Sequence, residues 1–187
     1  MNTPSFYFPK LEDITKAAKV IKGVSMVTPL VDSIRYSKQY NSNILLKRED
    51  LQRVRSYKIR GAYYKISSLT KEELERGVVC ASAGNHAQGV AFACKHLGIQ
   101  GTIYMPSVTP KQKIEQTKMF GGDNVSIVLR GDTYDDSSKA ALDMCKAENK
   151  TFVHAFDDPK TIEGQGTIGL EIFKQAEESI DLSLIHI

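Results

Sequence analysis

Two short segments of this chain carry the residue types from which chemistry could be built. Ser56-Tyr57-Lys58-Ile59-Arg60-Gly61-Ala62 sets one lysine beside an aromatic ring, with a cation and a glycine just beyond it. Ala81-Ser82-Ala83-Gly84-Asn85-His86-Ala87-Gln88-Gly89 is a run of small residues that opens into a helical pattern. A lysine amine becomes nucleophilic near neutral pH only when desolvation or a neighbouring cation displaces its proton. Tyr57 and Arg60 stand where they could supply both influences on Lys58. A junction of small residues between a strand and a helix turns unpaired N–H groups and the positive end of a helix dipole toward an anion. Together the segments point to covalent amine chemistry on a group that carries negative charge.

The elements that must hold them are legible from periodicity and punctuation. Leu11, Ile14, Ala18 and Ile21 recur at helical spacing, so 10–22 reads as an amphipathic helix closed by Gly23. Thr28-Pro29-Leu30 reads as a break, 43–47 as a strand, and a polar loop leads to a helix starting near Lys58. Thr70 and Glu73 form a capping box for a short helix ending at Gly77. Strands at 78–81, 101–105, 125–129 and 151–155 then alternate with helices at 85–97, 134–148 and 159–178. Between the second and third of those strands, Thr109 reads as an N-cap with Pro110 at the first helical position. Short apolar strands alternating with longer helices imply an α/β doubly wound architecture, a parallel sheet covered on both faces.

Composition narrows the classes. The 187 residues are 41% hydrophobic and 25% charged, ordinary values for a globular chain. No apolar run reaches transmembrane length. The start, MNTPSFYFPKLED, has neither a basic nor an apolar signal region, so a cytoplasmic location is expected. The net charge of +3 is too small to argue for nucleic acid. The densest basic stretch, 47–60, is interrupted by Glu49 and Asp50 and reads as a solvated loop. Cys80, Cys94 and Cys145 are widely spaced and fit buried, reduced thiols. With the four histidines they make no metal-ligand spacing, and no metal is expected. Gly164-x-Gly166-x-x-Gly169 matches a dinucleotide fingerprint, but polar residues precede it and no acid follows at the required distance. It reads as a helix start in close packing.

Both chemical segments resemble the threonine dehydratases, pyridoxal phosphate (PLP) enzymes of the tryptophan synthase β type (fold type II). Thr28-Pro29-Leu30, Leu46 to Gln52, Met105-Pro106, Pro110 to Lys113 and Gly164 to Thr167 follow in the same order, so the resemblance covers about residues 10 to 175. It implies that Lys58 binds the cofactor covalently and then removes the substrate's α-proton. It implies also that Tyr57 and Asn85 contact the cofactor, and that Ser82, Ala83, Gly84, Asn85 and His86 receive the amino acid's carboxylate. The expected reaction is L-threonine to 2-oxobutanoate and ammonia. The 51–56 loop is more similar to biosynthetic enzymes of the isoleucine pathway than to catabolic serine/threonine dehydratases. Serine racemases carry a serine as second acid–base group where this chain has Ala83, and alanine moves no proton. Cysteine synthases favour another lysine context, and an intact Lys58 argues against a non-catalytic paralogue. Homodimers or homotetramers are implied for the full-length enzyme.

The resemblance also implies parts this sequence lacks: a glycine-rich loop for the cofactor phosphate and a later serine or threonine for the pyridine nitrogen. Residues 1–181 are therefore expected to be the N-terminal part of a catalytic domain, with a smaller α/β subdomain at roughly 55–155. The last six residues, LSLIHI, are what a common transposon mosaic-end adapter encodes, so 182–187 is expected to be an adapter-derived tail and the fragment inactive.

Overall fold

The computed structural model describes residues 7–184. Helix α1 (Leu11–Val20) is followed by a left-handed Gly23 at φ +83°. Strands β1 (Leu30–Asp32) and β2 (Leu45–Lys47) pair antiparallel in a two-stranded sheet, with α2 (Ile34–Tyr40) between them. Helix α3 (Lys58–Ser67) begins at the candidate lysine. Helix α4 (Lys71–Arg76) starts on the expected capping box, with the Thr70 hydroxyl and Glu73 carboxylate each accepting from the other's backbone N–H.

From there the chain alternates through β3 (Val78–Ala81), α5 (Asn85–Leu97), β4 (Gly101–Met105), α6 (Lys111–Gly121), β5 (Val125–Leu129), α7 (Tyr134–Glu148), β6 (Thr151–Phe152) and α8 (Pro159–Gln175). The four strands form one parallel sheet in the order β5-β4-β3-β6. Its inner strands are buried, and β3 is packed on both sides, as the sequence predicts. Val78 and Cys80 pack with Ile66 of α3 and with Val90 and Cys94 of α5. Val79 and Ala81, turned the other way by the pleat, pack with Ala141 and Cys145 of α7. All three cysteines are free and buried.

Several boundaries differ from the sequence expectation for local reasons. The break at Thr28-Pro29-Leu30 runs into β1, and α2, closed by a left-handed Asn41, went unread. Pro110, not Thr109, caps α6, and the buried Thr109 hydroxyl has no partner among the described residues. Strand β6 stops at Phe152 because His154 Nδ1 accepts from the N–H groups of Phe156 and Asp157 and turns the chain out of the sheet. Helix α8 ends at Gln175, short of residue 178. Leu182–Leu184 form no regular element, and residues 185–187 of the expected tail lie outside the described residues.

Gly164 and Gly166 lie inside α8, past its first turn; Gly164 faces the backbone of α3 and Gly166 the Ile14 side chain of α1. A Cβ on Gly164 would meet the Arg60 carbonyl oxygen at 2.7 Å, and one on Gly61 would meet the Thr161 carbonyl oxygen at the same distance. Gly169 has open space where its Cβ would be. Gly164→Ala should therefore destabilise by about 1–3 kcal/mol through overpacking. Gly169→Ala, on the same helix, should stabilise by about 0.5–1 kcal/mol through helix propensity. Urea denaturation of the two variants checks the opposite signs.

Candidate active site

Lys58 occupies the first position of α3, with only 8% of its surface exposed. Its amine donates to the Ala155 carbonyl at 3.0 Å and lies 4.9 Å from the centre of the Tyr57 ring. No carboxylate among the described residues bonds to it. Burial alone pulls its pKa below that of an ordinary lysine. The expected cation effect of Arg60 is absent, because that guanidinium is bound to the carboxylates of Glu49 (2.7 and 2.9 Å) and Glu171 (2.6 and 2.9 Å).

The second segment lies against the first. A Cβ on Gly89 of α5 would come within 3.0 Å of the Lys58 carbonyl oxygen, so only glycine lets α3 approach this closely. Asn85, one turn earlier, is exposed at the first position of α5. Ser82 N–H donates to the Tyr104 carbonyl, and Gly84 N–H to the Ser82 hydroxyl. The N–H groups of Ala83, Asn85 and His86 are left without a protein partner among the described residues, and a Cβ on Gly84 would meet open space. These donors sit at the positive end of a 13-residue helix, the setting in which anions bind.

The His86 side chain does not share that exposure. Its Nε2 lies 2.8 Å from the Val153 carbonyl oxygen, which can only accept, so Nε2 carries the hydrogen. Nδ1 is then an unprotonated acceptor, buried without a partner among the described residues. Burial pushes the His86 pKa down to about 4, against the opposing hydrogen bond to Val153 and with the nearby Lys58 amine adding to the effect. His86 can therefore offer an anion its backbone N–H while its ring ties α5 to the end of the sheet.

Within the motif from Leu46 to Gln52, Lys47, Glu49 and Gln52 tie the fold together. Lys47 and Arg60, which bound the stretch read as a solvated loop, point inward with side chains 8% and 0% exposed. Lys47 Nζ donates to Glu171 (2.6 Å), Gln175 (2.8 Å) and the Thr28 carbonyl (2.6 Å). Gln52 exchanges hydrogen bonds with the backbone of Met26. Burial opposes the charge on Glu171, but hydrogen bonds from Arg60 and Lys47 outweigh it and hold that carboxyl below the usual range. Glu171 drew no attention in the sequence. Its one signal was helical phase, since Gly164, Thr167 and Glu171 share the face of α8 turned to α3.

The pyridoxal-phosphate dependent enzyme family model matches residues 21–186. The chain belongs to this family. Among its curated relatives are the biosynthetic L-threonine dehydratases IlvA of Bacillus subtilis and Lactococcus lactis. The first is 54% identical over 90% of this chain and 40% of the relative, the second 50% identical over 94% and 42%. The chain thus spans about two-fifths of their length. Among solved structures, the processed threonine deaminase isoform 2 of Solanum lycopersicum matches with TM-score 0.79 and 40% identity, over 94% of this chain and 48% of that one. Maize serine racemase matches with TM-score 0.85 and 30% identity, over 92% and 51%.

The residues present fit the cofactor of the family. The Lys58 amine is shielded, free of carboxylates and depressed in pKa. The Ser56 hydroxyl, two positions earlier, is buried with no partner among the described residues. No helix among the described residues is long and apolar enough to cross a membrane. No cluster of three or more His, Cys, Asp or Glu among them is placed to hold a metal ion.

His86 makes the stability of this site pH-dependent. Its folded pKa lies below the unfolded value of 6.5, so its contribution is fully present above pH 6.5 and is lost as pH falls toward 4. Over that window the unfolded state binds the extra proton, and stability should drop by about 3 kcal/mol. Denaturant titrations at successive pH values should show this slope, and His86→Gln should flatten it.

Proposed function

We propose that this chain is the N-terminal part of a PLP-dependent ammonia-lyase that converts L-threonine to 2-oxobutanoate and ammonia, at the first step of isoleucine biosynthesis. The observation that carries the reading is the buried, carboxylate-free amine of Lys58, held against the helix whose N-terminal donors are open. The names of the Bacillus and Lactococcus relatives supply the substrate and the biosynthetic role.

In this reading Lys58 carries the cofactor, and Tyr57 and Asn85 contact it. When bound, the cofactor supplies an electron sink for the pair left at the substrate's α-carbon. Lys58 Nζ, once displaced by the substrate amine, takes the α-proton, a role that suits an amine lowered in pKa by burial. Ser82, Ala83, Gly84, Asn85 and His86 hold the carboxylate, chiefly through the free N–H groups of Ala83, Asn85 and His86. The α-carbon then stays at a fixed distance from the amine. Loss of the β-hydroxyl and hydrolysis of the released product give 2-oxobutanoate and ammonia.

The likeness to maize serine racemase favours a second reading, in which the α-proton is returned on the opposite face. Ala83 weighs against it, because a methyl group delivers no proton. The same proposal takes residues 1–181 as part of one catalytic domain with a smaller α/β unit over roughly 55–155. It places the enzyme in the cytoplasm, as a homodimer or homotetramer that acts on a free amino acid and engages neither nucleic acid nor membrane.

The test is made on the full-length enzyme that carries this sequence. It should release 2-oxobutanoate from L-threonine, and Lys58→Ala should abolish the release; product formation at the original rate by that variant removes the assignment. Chiral analysis of recovered serine should show no inversion by the unaltered enzyme and detectable inversion by Ala83→Ser.

A further inference from the structure

Gly164-Gln165-Gly166, singled out in the sequence, has so far only a packing role, yet its glutamine ends beside the reactive lysine. We infer that Gln165 is a positioning residue for Lys58: its side-chain amide pins the Ala155 carbonyl to which the Lys58 amine donates. The inference rests on the reading of Lys58 as the cofactor amine and adds a residue that the reading does not use.

The geometry is a three-body contact on one oxygen. Lys58 Nζ lies 3.0 Å and Gln165 Nε2 lies 3.1 Å from the Ala155 carbonyl oxygen, so the two donors take its two lone pairs. Gln165 has little freedom to leave. A Cβ on Gly61 would meet its Cγ and Nε2 at 2.9 Å, so the side chain is packed against α3 one turn beyond Lys58. The carbonyl is steered from the other side as well, because His154 Nδ1 gathers the N–H groups of Phe156 and Asp157 just beyond it. The tight crossing of α3 and α8 therefore delivers an amide donor to the carbonyl oxygen that holds the amine.

The arrangement has a consequence for chemistry. When Lys58 leaves the oxygen to form a covalent bond, the amide of Gln165 remains, and the carbonyl is neither orphaned nor free to follow. The amine departs from and returns to a fixed point. A neutral amide also suits this place, since a carboxylate there would hold the amine in its charged form. Among the described residues, the titratable groups around Lys58 are Tyr57 just before α3, His86 on α5 and His154 in the loop that carries Ala155. On α8, Glu163 is bound to Tyr7 and Lys160, and at its N-cap Asp158 is bound to Lys65, so neither carboxylate serves Lys58.

The test reads the amine directly in the cofactor-free full chain, by the pH dependence of Lys58 acylation followed by mass spectrometry. Gln165→Glu should raise the labelling midpoint of Lys58 by about one pH unit or more, as a carboxylate so near an amine does. A midpoint unchanged in the folded variant overturns the inference. Should that variant fail to fold, Gln165→Met keeps the bulk and removes the donor. Lys58 should then be acylated several-fold faster at a given pH, and an unchanged rate overturns the inference. Borohydride trapping of pyridoxal phosphate on the unaltered chain separates the two claims. Failure to mark Lys58 would remove the cofactor reading, while the labelling shifts would still report on Gln165.

Discussion

The fold around the site is organised by a guanidinium that cannot discharge. Arg60 is fully buried, and taking such an ion out of water costs several kcal/mol unless it is closely paired. Its donors are met by Glu49 and Glu171, the Thr167 hydroxyl and the Met26 carbonyl. Lys47 joins Glu171 and makes the set neutral, two cations against two carboxylates. These partners come from α8, from the end of β2 and the turn after it, and from the segment before β1. The segments must therefore assemble together, because leaving any one out strands a charge in the interior.

That demand fixes the orientation of α3 and, through it, the direction of Lys58. Two residues apart on a helix, side chains point to nearly opposite sides, so anchoring Arg60 among carboxylates turns Lys58 away from them. The two cations then meet burial differently. An arginine keeps its proton whatever its surroundings, so it is answered with counter-charges. A lysine is weak enough in its hold on the proton for burial to loosen it, provided that no carboxylate intervenes. Residues of like sign are thus divided into a counter-charged ion and a carboxylate-free amine by the phase of one helix.

Much of this was legible in the sequence. The alternation of β3, α5, β4, β5 and α7 was carried by clean apolar strands and by helix stops such as Gly98, and these elements have the expected limits. Lys58 and the Ser82–His86 loop stood out through the motifs that surround them, and the fold brings Lys58 against α5. What was missed depends on pairing at a distance. Strand β1 is three residues long and exists by bonding to β2, so its sequence has no period to read. Lys47, Arg60 and Glu171 look like surface charges until the fold brings them into contact. Likewise His86 reads as part of an anion loop, and only the position of the Val153 carbonyl shows that its ring turns inward.

The buried thiols place a probe inside this arrangement. Cys80 lies on β3 just before the donor loop, Cys94 on the helix that the loop opens into, and Cys145 on the helix across the sheet. Burial raises all three pKa values, to about 12 for Cys94 and about 11 for Cys145. Thiol reagents attack the thiolate, so the closed structure shields these sulfurs both sterically and chemically. Their reaction with a reagent in solution therefore waits on opening of the sheet and its two covering layers. The modification rate of Cys80 becomes a clock for how often the body that holds the lysine and the anion donors comes apart, readable with no ligand or substrate present.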